Sequence, residues 1–381
     1  MNKDRLIPFT QELIREVSIS GEEQGVVSRI QSEMLSLGFD EVMIDELGSV
    51  IGIINGTRPG KTLLLDGHCD IVGAEAADWK YDPFGGVIAD GWLYGRGVAD
   101  MKAALAAMIC AAADVDRQQL IGRVIVSGSV LEEVMEGAAL KVIMDKYRPD
   151  YVIIGESTEL NLNRAGRGRA ELVAETFGKS AHSSSPQFGL CAVHEMIKLI
   201  HKLETVSLRS DPVIGDSQVT LTDIISDPFP GHSVVPYHCQ ASFDVRTVPG
   251  ETAESLMQVF RSIPDIQSID HKLSFLEGEE KAYTGLTVHG QKFFPAWIFD
   301  EEHELVQSAW NGLRQIGMDP KLGSFKFCTN GAYSAGIAGV PTIGFGPGRE
   351  SDAHSTNEKL GVDEILLAYD GFHAMIQSIM K

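Results

Sequence analysis

The chain has 381 residues, 44% apolar and 22% charged, the balance of a globular protein of two to three domains at about 150 residues each. Its 32 basic and 53 acidic residues give a net charge of −21, which works against binding nucleic acid or anionic membranes, since both call for basic surfaces. The five cysteines (Cys69, Cys110, Cys191, Cys239 and Cys328) are odd in number and widely spaced, which predicts neither a disulfide framework nor a CxxC zinc site and points to a reducing cytoplasm.

The N-terminal stretch MNKDRLIPFTQELIREVSIS carries scattered charges and no signal-peptide core, and no run of 18 apolar residues occurs anywhere. Helical spacing covers residues 10–37 and stops at Gly38. Apolar runs at 50–54, 62–65, 124–130 and 151–154 predict buried strands, and the alanine-rich 102–115 between them predicts a helix. This alternation predicts an α/β domain with a mostly parallel sheet. From about residue 167 the pattern changes to the polar alternation of half-exposed antiparallel strands in RAELVAETFGKSAHSS and HCQASFDVRTV, with the helix CAVHEMIKLIHKLETV between them. After about 285 the first texture returns, with a helix near 302–316 and a buried strand at 341–345. The expected plan is a catalytic α/β domain over 1–166 and 286–381, split by an inserted α+β domain over 167–285.

In open α/β sheets the loops at the carboxyl ends of strands converge on one rim. Four strand candidates end in groups that ligate metals: TLLLDGHCD gives His68 and Asp70, VIVSGSVLEE gives Glu132 and Glu133, YVIIGES gives Glu156, and PTIGFGPGRESDAHS gives His354. Asp100, in GRGVADMKAA, stands just before the alanine-rich helix. Two histidines and several carboxylates can hold two divalent ions with nitrogen and oxygen ligands, suited to zinc and also to cobalt or manganese. Such a pair polarises a carbonyl and activates a shared water, and a neighbouring carboxylate takes its proton. Each group alone has a plainer reading: His–x–Asp a polar pair, Glu–Glu a solvated turn, Asp100 a helix cap. Their convergence on strand ends of one domain favours the chemical reading. Cys69, between His68 and Asp70 on an extended segment, points away from both and reads as packing.

The ordered series GHCDIV, GRGVADMKAA, LEEVMEG, GES, GKSAHSSSP and DAHSTNE resembles the M20 metallopeptidase family of desuccinylases, acetylornithine deacetylases, aminoacylases and glutamate carboxypeptidases, and the resemblance runs from about residue 10 to 375. The C-terminal stretch is most similar to the selenium-metabolism-linked hydrolase branch. The resemblance implies that His68 and Glu156 hold one zinc, that Glu133 and His354 hold the other, and that Asp100 bridges them. It makes Glu132 the general base and Asp70 the group that orients His68, with a cis peptide after Asp100. The insert becomes a lid and dimerisation domain whose His182 reaches the partner subunit's site to stabilise the oxyanion. Arg246 in FDVRTVPG matches an arginine that pairs with a substrate carboxylate, and Asn330 and Gly331 match a loop that meets substrate through its backbone. One departure stands out: Ser233, in GHSVVP, occupies a place where many members carry asparagine, and a hydroxyl cannot reproduce an amide's two-sided hydrogen bonding.

The expected protein is thus a cytoplasmic, homodimeric metallohydrolase that cleaves the amide bond of a small N-acyl amino acid or short peptide bearing a free carboxylate, through a water shared by two metal ions. The alternatives are a dipeptidase or carboxypeptidase rather than a deacylase and, from another class, a non-catalytic small-molecule binding protein that keeps the fold.

Overall fold

The computed structural model describes residues 2–381. They divide into two compact units, one built from the residues up to Gly166 together with Glu279–Val288 and Trp297–Lys381, the other from Arg167–Gly278 and His289–Ala296. The single return expected at 285/286 is therefore replaced by an excursion. The Tyr283 hydroxyl donates to the Gly48 carbonyl inside the first unit, whereas Phe293–Phe294 pairs with Gly168–Phe177 inside the second.

The first unit is organised by a nine-stranded sheet. Its four central strands, Ile121–Ser129, Arg58–His68, Tyr151–Ile154 and Thr342–Gly344, run parallel in that spatial order, and antiparallel strands flank them. Side chains alternate across this sheet and both faces are covered. Leu63, Leu65, Val124, Val126 and Ile153 pack on one side with the helices Lys3–Arg15, Ala103–Ala113 and Val362–Ile379, while Leu64, Ile125 and Val152 pack on the other with Ala138–Tyr147. Burial on both faces explains why these strands read as unbroken apolar runs. Each fully buried leucine of 63–65 contributes roughly 1.5–3 kcal/mol by leaving water.

The helix expected over 10–37 is two helices, Lys3–Arg15 and Gln24–Ser36. The break lies where Ser18 donates to the Cys69 carbonyl, Ile19 bridges Ile71, and Gly21 takes a positive φ of 86°. Hydrogen bonds to the segment Cys69–Ile71 thus override a continuous helical pattern. Between the two helices Arg5 and Arg29 share the carboxylates of Glu12 and Glu33, with Arg5 Nη2 2.6 Å from Glu12 and Arg5 Nε 2.8 Å from Glu33. The hydrogen bond from Arg5 and the charge of Arg29 hold Glu12 down to about 2, against an ordinary 4.5. A depressed carboxylate stabilises the fold fully above its unfolded value and loses that contribution as pH falls from about 4.5 toward 2. Glu12→Gln is expected to flatten the fall in stability between pH 5 and pH 3, as read by urea unfolding at each pH.

The second unit is a four-stranded antiparallel sheet in the order Gln218–Asp227, His238–Thr247, Gly168–Phe177, His271–Phe275, with Phe293–Phe294 added to Gly168–Phe177. Ala170, Leu172, Ala174, Ala241 and Phe243 face the helices Ala192–Glu204 and Ala253–Arg261. The intervening Arg169, Glu171, Glu175 and Asp244 form a polar opposite face, the alternation expected of a sheet covered on one side.

Candidate metal centre

The parallel strands end in register. His68 pairs Ser129, and Asp66 pairs Ile154, so the segments carrying His68, Glu132–Glu133 and Glu156 leave the sheet at one rim. Gly344 pairs Ile154 and sends the chain on to His354 from the same rim. Asp100 stands at the start of the segment leading into Ala103–Ala113, after a left-handed Gly97 and before a cis Asp100–Met101 peptide.

The side chains of these segments meet. Asp100 Oδ1 lies 2.9 Å from His68 Nε2, and its Oδ2 lies 3.2 Å from His354 Nε2. Glu156 Oε1 is 3.4 Å from His68 Nε2, and Glu133 Oε2 is 3.0 Å from His354 Nε2. Ligand-type atoms of His68, Glu132 and Glu156 fall within 4.8 Å of one another, as do those of His68, Asp100 and Glu133. His68 and Glu156 are deeply buried, and the His354 side chain is half-exposed. Leu131 and His354 both take a positive φ, 59° and 56°, in the left-handed region that costs a non-glycine residue about 1–3 kcal/mol.

The charge balance is strongly biased. Burial pushes Glu132 well above the ordinary carboxylate range, helped by Glu156, Glu136 and Glu133 nearby. Burial likewise raises Glu133, and lifts Glu156 to about 7. Burial also acts on Asp100, but hydrogen bonds to His354 and His68 hold it below its usual value. Hydrogen bonds to Asp100 and Glu133 raise His354 to about 10, and burial is outweighed at His68 by its carboxylate neighbours, which raise it.

This donor set fits divalent cations. His68 Nδ1 donates to the Asp70 backbone carbonyl at 3.0 Å, which leaves the lone pair of a neutral ring on Nε2, facing the carboxylates of Asp100 and Glu156. Facing acceptors in a buried site need a proton or a metal cation between them, and two imidazoles with surplus carboxylates are the ligands that zinc, cobalt and manganese accept.

Asp70 holds more than the imidazole of the expectation. His68 is held by its backbone carbonyl, with the carboxylate farther away at 3.5 Å from Nδ1. The carboxylate instead accepts from the backbone amides of Glu132 at 3.2 Å and Glu133 at 3.1 Å, and from Ser20 Oγ at 2.8 Å. It sets the turn that presents both glutamates. Glu23, which the sequence did not single out, supports the same turn by accepting from Leu131 N at 3.2 Å. Cys69 is fully buried and donates to the Ser129 carbonyl, as packing requires.

Asn330 is buried, and its side chain is engaged within the first unit: Nδ2 donates to Asp66 at 2.8 Å and to Ser129 Oγ at 3.0 Å, and Oδ1 accepts from Gly137 N at 2.6 Å. The Gly331 amide donates to Thr329 Oγ1. A Cβ at Gly331 would stand 2.7 Å from Trp297 Nε1, so Gly331→Ala is expected to cost about 1–3 kcal/mol of stability, measured by urea unfolding.

His182 and Arg246 belong to the second unit. His182 Nδ1 accepts from the backbone amide of Ser184 at 3.1 Å, which makes Nε2 the protonated nitrogen of the neutral ring. His182 itself makes an isolated antiparallel bridge to Val234, and Ser183 N donates to the carbonyl of Ser233, so the SAHSS and GHSVVP loops lie side by side. Arg246 Nε donates to Asp244 at 2.7 Å, and its terminal nitrogens have no partner among the described residues.

The signature of peptidase family M20/M25/M40 matches residues 64–378. Uncharacterized protein YgeY of Escherichia coli K12 is 33% identical over 359 residues, covering 92% of this chain and 88% of that protein. Acetylornithine deacetylase of Photorhabdus laumondii is 27% identical over 356 residues, covering 90% and 87%. Among solved structures, aminopeptidase PepT from Bacillus cereus superposes with a TM-score of 0.78 at 21% identity, covering 100% of both chains. A rim of histidines and carboxylates at the ends of parallel strands, and a family signature spanning most of the sequence, lead to one conclusion: the chain belongs to peptidase family M20/M25/M40.

Proposed function

We propose that this metal-dependent hydrolase of amide bonds deacylates a small N-acyl amino acid bearing a free carboxylate, using two divalent ions, zinc foremost. One ion would be held by His68 and Glu156, the other by Glu133 and His354, with Asp100 between them. The observation that carries this reading is Asp100, which turns one carboxylate oxygen toward each histidine. When bound, such ions supply Lewis acidity and lower the pKa of water.

The chain's own groups do the rest. Glu132 Oε1 is buried without a hydrogen-bond partner among the described residues, which suits it to take a proton from water and pass it to the leaving nitrogen. Asp70 keeps Glu132 and Glu133 in place through their amides. His182 donates from Nε2 to the oxyanion, across a homodimer formed by the second unit. The edge strand Gln218–Asp227, with Ile224 and Ile225 exposed, supports such pairing. Arg246 offers its free guanidinium nitrogens to the substrate carboxylate, a geometry suited to bidentate binding. The Asn330–Gly331 loop contributes backbone to the substrate site, with the Asn330 carbonyl also accepting from the amides of Tyr333 at 3.0 Å and Ser334 at 3.3 Å.

Short peptides with a free carboxylate are the second substrate class, favoured by the fold shared with an aminopeptidase. The deacetylase among the relatives gives N-acyl amino acids first place. A non-catalytic binding role is not favoured, because base and donors are all retained. No helix among the described residues is long and apolar enough to cross a membrane; the cytoplasmic location we propose rests on the odd number and wide spacing of the five cysteines in the sequence.

Chelation is expected to abolish amide hydrolysis, and zinc, cobalt or manganese to restore it, in a screen of N-acetyl, N-succinyl and N-carbamoyl amino acids beside dipeptides. Full turnover by metal-free protein would exclude the mechanism. Full activity of a monomer at assay dilution would exclude the role of His182 across a dimer.

A further inference from the structure

The proposed ligands are supported in two different ways. His68 and Glu156 leave adjacent strands of the parallel sheet, so the sheet itself fixes their spacing. Asp100 sits in the short segment Val98–Lys102, where its own backbone is non-helical, and His354 on a loop, so neither belongs to a strand. What joins the two is Glu358, four residues beyond His354 and almost fully buried.

Its Oε1 accepts from the backbone amides of Ala99 at 2.7 Å and Asp100 at 3.2 Å, and its Oε2 from Gly97 N at 3.1 Å and Arg96 Nη1 at 2.6 Å. Arg96 Nη2 in turn donates to the backbone carbonyl of His354 at 3.3 Å, at the residue held in the left-handed conformation. Behind the carboxylate, the Glu358 carbonyl accepts from Gly95 N at 3.0 Å, and Lys359–Gly361 pairs with Trp92–Tyr94. One side chain therefore grips the Asp100 segment at three backbone amides, those of Gly97, Ala99 and Asp100, and, through Arg96, grips His354 as well. Glu358 is absent from both groups of potential ligands among the described residues.

We propose that Glu358 is a positioning residue for the metal centre, which holds Asp100 and His354 in register so that the position shared by Glu133, His354 and Asp100 can bind its ion. This rests on the two-ion reading above. A carboxylate is required because donors converge on both oxygens. Glutamine offers a single acceptor oxygen, and its NH2 group would oppose either the Ala99 and Asp100 amides or the Arg96 and Gly97 donors. Changes to groups that orient ligands typically cost about 10–100-fold in metal affinity. Here the cost falls mainly on the second ion, which loses the placement of both Asp100 and His354, whereas the sheet continues to hold His68 and Glu156 for the first.

The test titrates the metal-free full-length protein with Zn²⁺ by calorimetry, and with Co²⁺ by absorption spectroscopy, alongside urea unfolding. Wild type is expected to bind two ions. Glu358→Gln is expected to keep the affinity for the first within about threefold and to weaken the second by about 10–100-fold, with a changed spectrum for the second Co²⁺ only. Arg96→Lys keeps a charge beside Glu358 but loses the tie to His354, and should weaken the second ion alone, by about tenfold. Equal affinity for both ions in Glu358→Gln, or parallel loss of both, overturns the proposal. If Glu358→Gln does not fold, an unaltered second affinity in Arg96→Lys overturns it. A wild type that binds fewer than two ions defeats the two-ion reading itself, a failure visible without any variant.

Discussion

Glu132→Ala lowers kcat by about 10²–10⁴ while the protein still binds its metal ions with unchanged stoichiometry. The expectation rests on three features of one side chain. Glu132 is 6% exposed, and its Oε1 lacks a partner among the described residues, an arrangement that costs stability unless the atom is used. Its ligand-type atom lies within 4.8 Å of those of His68 and Glu156, close enough to share a water with whatever those groups hold. Its backbone amide is fixed by Asp70, so truncation at Cβ leaves the turn and the neighbouring Glu133 in place. Removing the base should therefore separate turnover from metal content. Glu132→Gln keeps the volume and should lose nearly as much, because an amide cannot accept the proton. Isothermal titration with Zn²⁺ and steady-state kinetics on the same preparation check both halves. A kcat within threefold of wild type would remove Glu132 from the role of base, and loss of one ion in parallel with activity would make it a ligand instead.

The sequence revealed which groups converge more readily than what holds them. His68, Glu132, Glu133, Glu156 and His354 follow apolar runs that read as buried strands, and a parallel sheet necessarily brings the ends of such runs to one rim. The order of strands in space is not written in those runs, yet the convergence does not depend on it. The supporting groups were not legible in the same way. Asp70 was expected to hold an imidazole and mainly holds two backbone amides, a partner that no sequence pattern announces. Glu358 and Glu23 carry no periodic signal, since each is a single buried acid whose partners lie far off in the chain: Glu358 reaches Asp100 and Glu23 reaches Leu131. A clue was available in STNEKL, where an acid precedes a short strand and the C-terminal helix, but an isolated glutamate there also reads as solvated. The broken N-terminal helix and the excursion at 279–296 were missed for a related reason. Local pattern predicts each element, and tertiary hydrogen bonds decide where it stops.

Asn330→Ala is expected to be the most destabilising of the site-loop substitutions, at about 2–4 kcal/mol, and to lower kcat as well. Asp66 is fully buried at the centre of the sheet, and burial raises its pKa even though Ser127 Oγ donates to it at 2.6 Å and Asn330 Nδ2 at 2.8 Å. Removing the amide strips a donor from a buried carboxylate and leaves the Gly137 amide without the acceptor it meets at 2.6 Å. Both losses carry the cost of desolvation without its compensation. Gly137 ends the segment that begins at Glu132, so loosening it also loosens the proposed base and the Glu133 ligand. A double-mutant cycle identifies the cause. In an Asp66→Asn background the buried charge is gone, so Asn330→Ala should cost at least about 1 kcal/mol less than in wild type, by urea unfolding of metal-free protein. If the two substitutions add, or if Asn330→Ala alone costs under about 0.5 kcal/mol, the link between Asp66 and the loop is not what holds the segment. Should kcat fall while stability does not, Asn330 acts on substrate through its side chain, and its proposed backbone role must be given up.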